Sequence, residues 1–240
     1  TEFKIGKMNL RNRLVLPPIT TNYAAPDGTV TKDVLEFYQR RSSSVGLTIV
    51  EATAVNGAGR IVPNSLGLWS DHQTEGMEDL VRVIHDGGAK AVIQLNHAGP
   101  RCFPDASLKQ GFSPSGVAFR PDVDPVVMDK ADIIKLIDDF TGAAVRACDA
   151  GFDGIEIHGA HLYLLSQFIS PATNTRDDDY GGDIAGRIKA AADIVENVKK
   201  NIPGSYTHLR AHETRHELGC RLLLGKKKKQ INTINLQQEY

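Results

Sequence analysis

Ala150-Gly151-Phe152-Asp153-Gly154-Ile155-Glu156-Ile157-His158-Gly159-Ala160-His161 is the stretch whose reading decides the fold. Gly151 follows a long amphipathic segment, at the point where a helix end favours a left-handed residue. Phe152 to His158 is a short, mostly apolar run, the pattern of a buried strand. The run ends in chemistry: His158, His161 and Tyr163 place two imidazoles and a phenol within six residues. Such a group can bind a carbonyl oxygen, pass a proton or ligate a metal.

Working outward, the same strand–helix unit recurs. Residues 13–17 form an apolar run stopped by Pro17-Pro18, and a helix follows from Thr31 to Arg41. Val45 to Val55 is rich in β-branched residues and reads as a second strand. A helix follows over 71–85, with Met77, Leu80, Val81 and Ile84 on one face and Gly87-Gly88 closing it. Ala89 to Leu95 is the third strand. The long stretch 97–128, weakly patterned and rich in Gly, Pro and Ser, reads as a functional loop. A helix capped by Asp129 or Asp132 runs to Ala150. After the fourth strand come a short helical segment over 161–170, a polar loop over 176–183 and a helix over 184–200.

Four alternating strand–helix pairs predict an α/β fold with a parallel sheet covered by helices. Polar groups gather at four successive strand ends: Pro17 to Thr20, Glu51 to Ala54, Gln94 to His97 and Glu156 to Tyr163. That arrangement favours a (β/α) barrel, whose sites lie at strand C-termini. No Gly-x-Gly-x-x-Gly follows the first strand, which argues against a Rossmann domain.

Composition narrows the function. Lys plus Arg is 28 and Asp plus Glu is 29, for a net charge of −1, which argues against a nucleic-acid binder. No apolar run reaches the roughly 18 residues of a membrane span, and the N-terminus has no apolar core of a signal peptide. Three scattered cysteines make no disulfide framework and suit a reducing, cytoplasmic setting.

The motifs together resemble the Old Yellow Enzyme family of flavin-dependent oxidoreductases, also called the NADH:flavin oxidoreductase family. The resemblance rests on Asn12-Arg13-Leu14-Val15-Leu16-Pro17-Pro18, on Val50-Glu51-Ala52-Thr53-Ala54-Val55 and on Gln94-Leu95-Asn96-His97-Ala98-Gly99. The opening stretch continues it, followed by Tyr163-Leu164, Gln167-Phe168, Ser170-Pro171, Asn174, Arg176, Asp178 and Tyr180-Gly181-Gly182. It implies a TIM (β/α)8-barrel, here truncated to roughly the first four βα units, with FMN at the strand C-termini. It also implies reduction of the C=C bond of α,β-unsaturated carbonyl compounds, with NAD(P)H as the hydride source.

By position, the resemblance places Pro17, Pro18, Ile19 and Thr20 along the isoalloxazine, with the Thr20 hydroxyl on a flavin carbonyl. Ala52 lies near the ring and Gln94 bonds the pyrimidine edge. His158 and His161 both donate to the substrate's carbonyl oxygen, and Tyr163 protonates the α-carbon. Leu162 departs from the pattern, since many members have Gly there. Thr20 stands where some members have Cys. Arg101 and Arg120 read as solvated loop charges, Trp69 as packing, and Asp177-Asp178-Asp179 as a solvated loop. A metal-dependent hydrolase using His97, His158 and His161 is the weakest alternative, because no carboxylate ligand set accompanies it. No metal is expected.

The family-like sequence is expected to occupy 1–204 and to stop before a fifth strand. Residues 205–240 carry seven basic and three acidic side chains and read as an artefactual or disordered tail. His208, His212 and His216 in it are taken as accidental, and no flavin role is assigned to Arg210. Without the family's phosphate-binding loops after strands seven and eight, the chain is expected to bind FMN weakly or not at all, and the open edges of a half-barrel are expected to invite aggregation or pairing with another copy. The second reading is therefore a non-catalytic half-barrel fragment.

Overall fold

The computed structural model describes residues 2–102, 110–119, 121, 124–203 and 207–210. Arg120, His212, His216 and the rest of 211–240 lie outside the described residues.

The chain opens with an antiparallel pair, β1 (Phe3–Ile5) and β2 (Met8–Leu10). β3 (Val15–Leu16) is followed by α1 (Lys32–Ser42), β4 (Leu47–Ala54), α2 (Thr74–Asp86) and β5 (Lys90–Asn96). The 97–128 stretch holds a small parallel pair, β6 (Gln110–Ser113) and β7 (Asp124–Val127). Then come α3 (Lys130–Asp149), β8 (Gly154–Ile157), α4 (Leu164–Ile169), α5 (Ile184–Asn201) and β9 (Thr207–Arg210). The main sheet has the order β3-β4-β5-β8-β9 and is parallel throughout. This is the expected α/β fold, the N-terminal part of a (β/α)8 barrel. β9 lies beyond the boundary expected at 204.

Local signals explain the helices. The Thr31 hydroxyl accepts from the Val34 N–H at the start of α1. Asp129 caps α3 and Asp132 returns the bond to the Asp129 N–H, so the two aspartates act together as a capping box. Gly151, with φ +88°, turns the chain out of α3 towards β8.

The two faces of the sheet differ because strand side chains alternate. Ile93, Leu95, Ile155 and Ile157 pack against Leu80, Ile84, Phe140 and Ile194 of the helices. On the opposite face, Leu47, Ile49 and Val92 meet Met8 and Leu10 of the N-terminal hairpin. Further along that face the wall turns polar, with Gln94 beside Glu156 in register. An apolar floor and a polar rim follow from position along the strand. Among the described residues, no helix is long and apolar enough to cross a membrane.

Phe140 is fully buried between α3 and the sheet. Phe140→Ala is expected to destabilise the chain by about 3–5 kcal/mol, read as a lowered urea midpoint at an unchanged slope.

Candidate active site

The chain after β8 is held tightly. The His158 N–H donates to the Leu95 carbonyl at 3.0 Å, which keeps the strand pairing going to the imidazole. His161 and Leu162 then both adopt left-handed backbone, with φ of 59° and 57°. Two such residues in succession are strained unless their surroundings fix them. Here the Gln167 amide donates to the Leu162 carbonyl at 2.7 Å, and the Tyr163 N–H donates to the Ala160 carbonyl at 3.1 Å. The Leu164 N–H donates to the His97 carbonyl at 3.0 Å, tying this turn to the loop after β5.

The result brings the three expected catalytic residues together. His161 Nδ1 and His158 Nε2 share a hydrogen bond of 3.0 Å. The Tyr163 ring centroid lies 5.3 Å from that of His158 and 5.9 Å from that of His161. The sequence reading has both imidazoles donating to one oxygen, whereas in this structure the two facing nitrogens bond to each other. His158 is buried, and its Nδ1 has no hydrogen-bond partner among the described residues. Burial, and then the neighbouring His161, push the His158 imidazole down to about 4, so it is uncharged at neutral pH. Burial raises the Tyr163 phenol and Arg101 opposes that rise. The phenol therefore keeps its proton at neutral pH.

The residues expected along a flavin sit on the adjacent strand ends. Pro17, Pro18, Ile19 and Thr20 follow β3 in an open turn, with the Ile19 N–H on the Pro17 carbonyl at 2.9 Å. Ala52 is buried in β4, where the pairing with β5 shifts between Val50 and Thr53. Gln94 is buried in β5, and its amide donates to Glu156 Oε1.

Two carboxylates support this rim without having been assigned a role from sequence. Glu51 accepts from the Thr21 N–H at 2.9 Å and from the Thr21 hydroxyl at 2.7 Å, pinning the segment that carries Thr20 to β4. Burial raises the Glu51 carboxyl, and the Thr21 bonds pull it back. Glu156 orients the Gln94 amide. A strand-end acid beside a hydroxyl-bearing loop was visible in the sequence, but the pairing spans 30 residues.

His97 does not join the imidazole pair. Its Nδ1 accepts from the Gly99 N–H at 3.0 Å, and its ring packs against Gly59 and Phe112 on the α3 side. Burial pushes it down to about 4, with Asp139 raising it and Lys135 lowering it. The three-histidine metal reading therefore lacks its first ligand. Among the described residues, no group of three His, Cys, Asp or Glu could hold a metal ion. Asp178 is taken up by Arg176, which also donates to the carbonyls of Pro114 and Met128 and braces the loop after α4.

A model of the NADH:flavin oxidoreductase / NADH oxidase family matches residues 1–214. The chain belongs to this family. An NADPH dehydrogenase of Listeria monocytogenes serotype 4b is 42% identical over 203 residues, covering 83% of this chain and 59% of that protein. The Old Yellow Enzyme homologue of Zymomonas mobilis superposes with a TM-score of 0.81 at 32% identity, over 87% of this chain and 61% of that one. The Old Yellow Enzyme of Pichia sp. gives a TM-score of 0.81 at 29% identity, over 87% and 57%. The chain thus spans about three fifths of the length of such relatives. The family match runs past 204 and includes β9.

His97 and His158 both lie below their unfolded value of 6.5. Between that value and about 4 the unfolded chain binds more protons, so stability is held above pH 6.5 and lost as pH falls towards 4. Each histidine contributes a slope of up to about 1.4 kcal/mol per pH unit. Urea titrations across this range should show the decline, and His97→Asn should make it shallower.

Proposed function

We propose that this chain is the flavin- and substrate-facing part of an FMN-dependent oxidoreductase of ene-reductase type. Its substrates would be α,β-unsaturated carbonyl compounds, with NAD(P)H as the hydride source. The observation that carries the reading is the convergence of His158 Nε2 and His161 Nδ1 beside Tyr163, next to the rim that bears Thr20, Ala52 and Gln94.

The donor set suits FMN. Gln94 presents an amide that can face a pyrimidine-type edge, and Glu156 holds that amide in place. Thr20 offers a hydroxyl on a segment anchored through Thr21 and Glu51. Pro17, Pro18 and Ile19 offer an apolar ledge, and Ala52 adds no bulk. Pro17, Pro18, Ile19, Thr20, Ala52 and Gln94 would hold FMN, whose chemistry there would be hydride delivery to the substrate's β-carbon.

The chain's own groups then do three things. First, a carbonyl oxygen entering between His158 Nε2 and His161 Nδ1 replaces their mutual hydrogen bond. It takes two N–H donors once each ring carries its proton on the facing nitrogen. Second, those donors stabilise the negative charge that grows on the oxygen as the enolate forms. His158, uncharged at neutral pH, has one N–H, and it donates here when that proton is on Nε2. Third, Tyr163 holds its proton at Oη and delivers it to the α-carbon. The cytoplasmic setting suggested by the three cysteines belongs to the same reading.

The test is to load the chain with FMN, record flavin absorbance, and follow NADPH-driven reduction of cyclohex-2-enone. In Tyr163→Phe, enone reduction should slow on the order of a hundredfold, while bleaching of the flavin by NADPH keeps its rate. Equal slowing of both half-reactions would remove Tyr163 from the proton-donor role.

A further inference from the structure

Arg101 is solvent-exposed, as read from sequence, and it also stands at the edge of the imidazole–phenol cluster. Its guanidinium carbon lies 5.9 Å from the Tyr163 ring centroid. That placement is built. The chain after β5 makes a tight turn over Gly99–Arg101, closed by the Arg101 N–H on the Ala98 carbonyl at 3.2 Å and the Cys102 N–H on the Gly99 carbonyl at 3.0 Å. Gly99 has φ +61°, and a Cβ there would lie 3.1 Å from the Phe112 oxygen and 3.2 Å from Leu164 Cα. This close approach, with the bond from Leu164 to the His97 carbonyl, locks the turn against the residue that follows Tyr163. Ala98 and Cys102 on either side are buried and pack with Ile61 and Tyr163.

Tyr163 is the described side chain that Arg101 faces. Arg101 is solvent-exposed and, among the described residues, has no carboxylate partner. Tyr163 and His158 beside it are neutral at pH 7. The described cluster thus carries imidazole and phenol groups, with the Arg101 guanidinium at its edge. A guanidinium is fixed in charge and shaped for a carboxylate.

We propose that Arg101 determines specificity by receiving an anionic substituent, a carboxylate, on the substrate whose carbonyl oxygen sits between His158 and His161. The substrate class is thereby narrowed to unsaturated carbonyl compounds that carry an acid group. This rests on the reductase reading above.

The test compares 3-oxocyclohex-1-ene-1-carboxylate with its methyl ester on the FMN-loaded chain, by turnover and by calorimetric binding. The acid is expected to have the higher kcat/KM by roughly five- to tenfold, the range of a part-exposed ion pair. The difference should lie in KM and shrink as salt is raised. In Arg101→Met the acid-to-ester ratio should fall to about one, and Arg101→Lys should restore part of it. An ester that is reduced together with a ratio unmoved by Arg101→Met overturns the inference and leaves the reductase reading standing. Neither compound reduced, with acid binding still dependent on Arg101, overturns the reductase reading and keeps the anion site. Acid that binds no more tightly than ester overturns the inference under either outcome.

Discussion

The register between β5 and β8 governs everything above it. Gln94 lies opposite Glu156, and Leu95 opposite Ile157. Because side chains alternate, that single alignment sends Leu95 and Ile157 into the helix layer and leaves Gln94 and Glu156 on the other face. A slip by one residue would bury polar side chains under the helices and turn apolar ones such as Leu95 and Ile157 towards the rim. The helices can pack only on the correct register, so core energetics and site chemistry are settled by one choice. The His158 N–H on the Leu95 carbonyl extends that alignment one step further, to the first imidazole of the pair.

A second layer of order comes from bonds between strand-end loops. Glu51 ties the loop after β3 to β4, and Leu164 ties the loop after β8 to the end of β5. Each loop that carries chemistry is therefore held by its neighbour in the sheet as well as by its own strand. Thr20, Gln94, His158 and Tyr163, spread over 144 residues of sequence, are thereby held on neighbouring strand ends.

Much of this was legible in the sequence, for a physical reason. Buried parallel strands and amphipathic helices announce themselves locally, and Gly151, Thr31 and Asp129 mark element ends through interactions within three or four residues. His158, His161 and Tyr163 are close in space because they are close in sequence. The rest depends on contacts over long separations. β6 and β7 pair across a stretch with no clear periodicity. Glu51 finds Thr21 across 30 residues, and Arg101 meets Tyr163 across 62. The strand Val15–Leu16 is shorter than the apolar run around it, because proline ends the pairing. β9 lies within the segment whose composition breaks with what precedes it, and its pairing with β8 joins residues more than 50 positions apart.

The two left-handed residues His161 and Leu162 give the turn a particular thermodynamic character. A glycine at 162 would adopt that backbone freely, yet it would also wander through many others. Leucine, held there by the Gln167 amide, has few alternatives once the chain has folded. The ordering of this turn is thus completed during folding, and an arriving ligand has little loop entropy left to remove. Affinity at such a site reflects the contacts made, because the conformation that makes them is already in place.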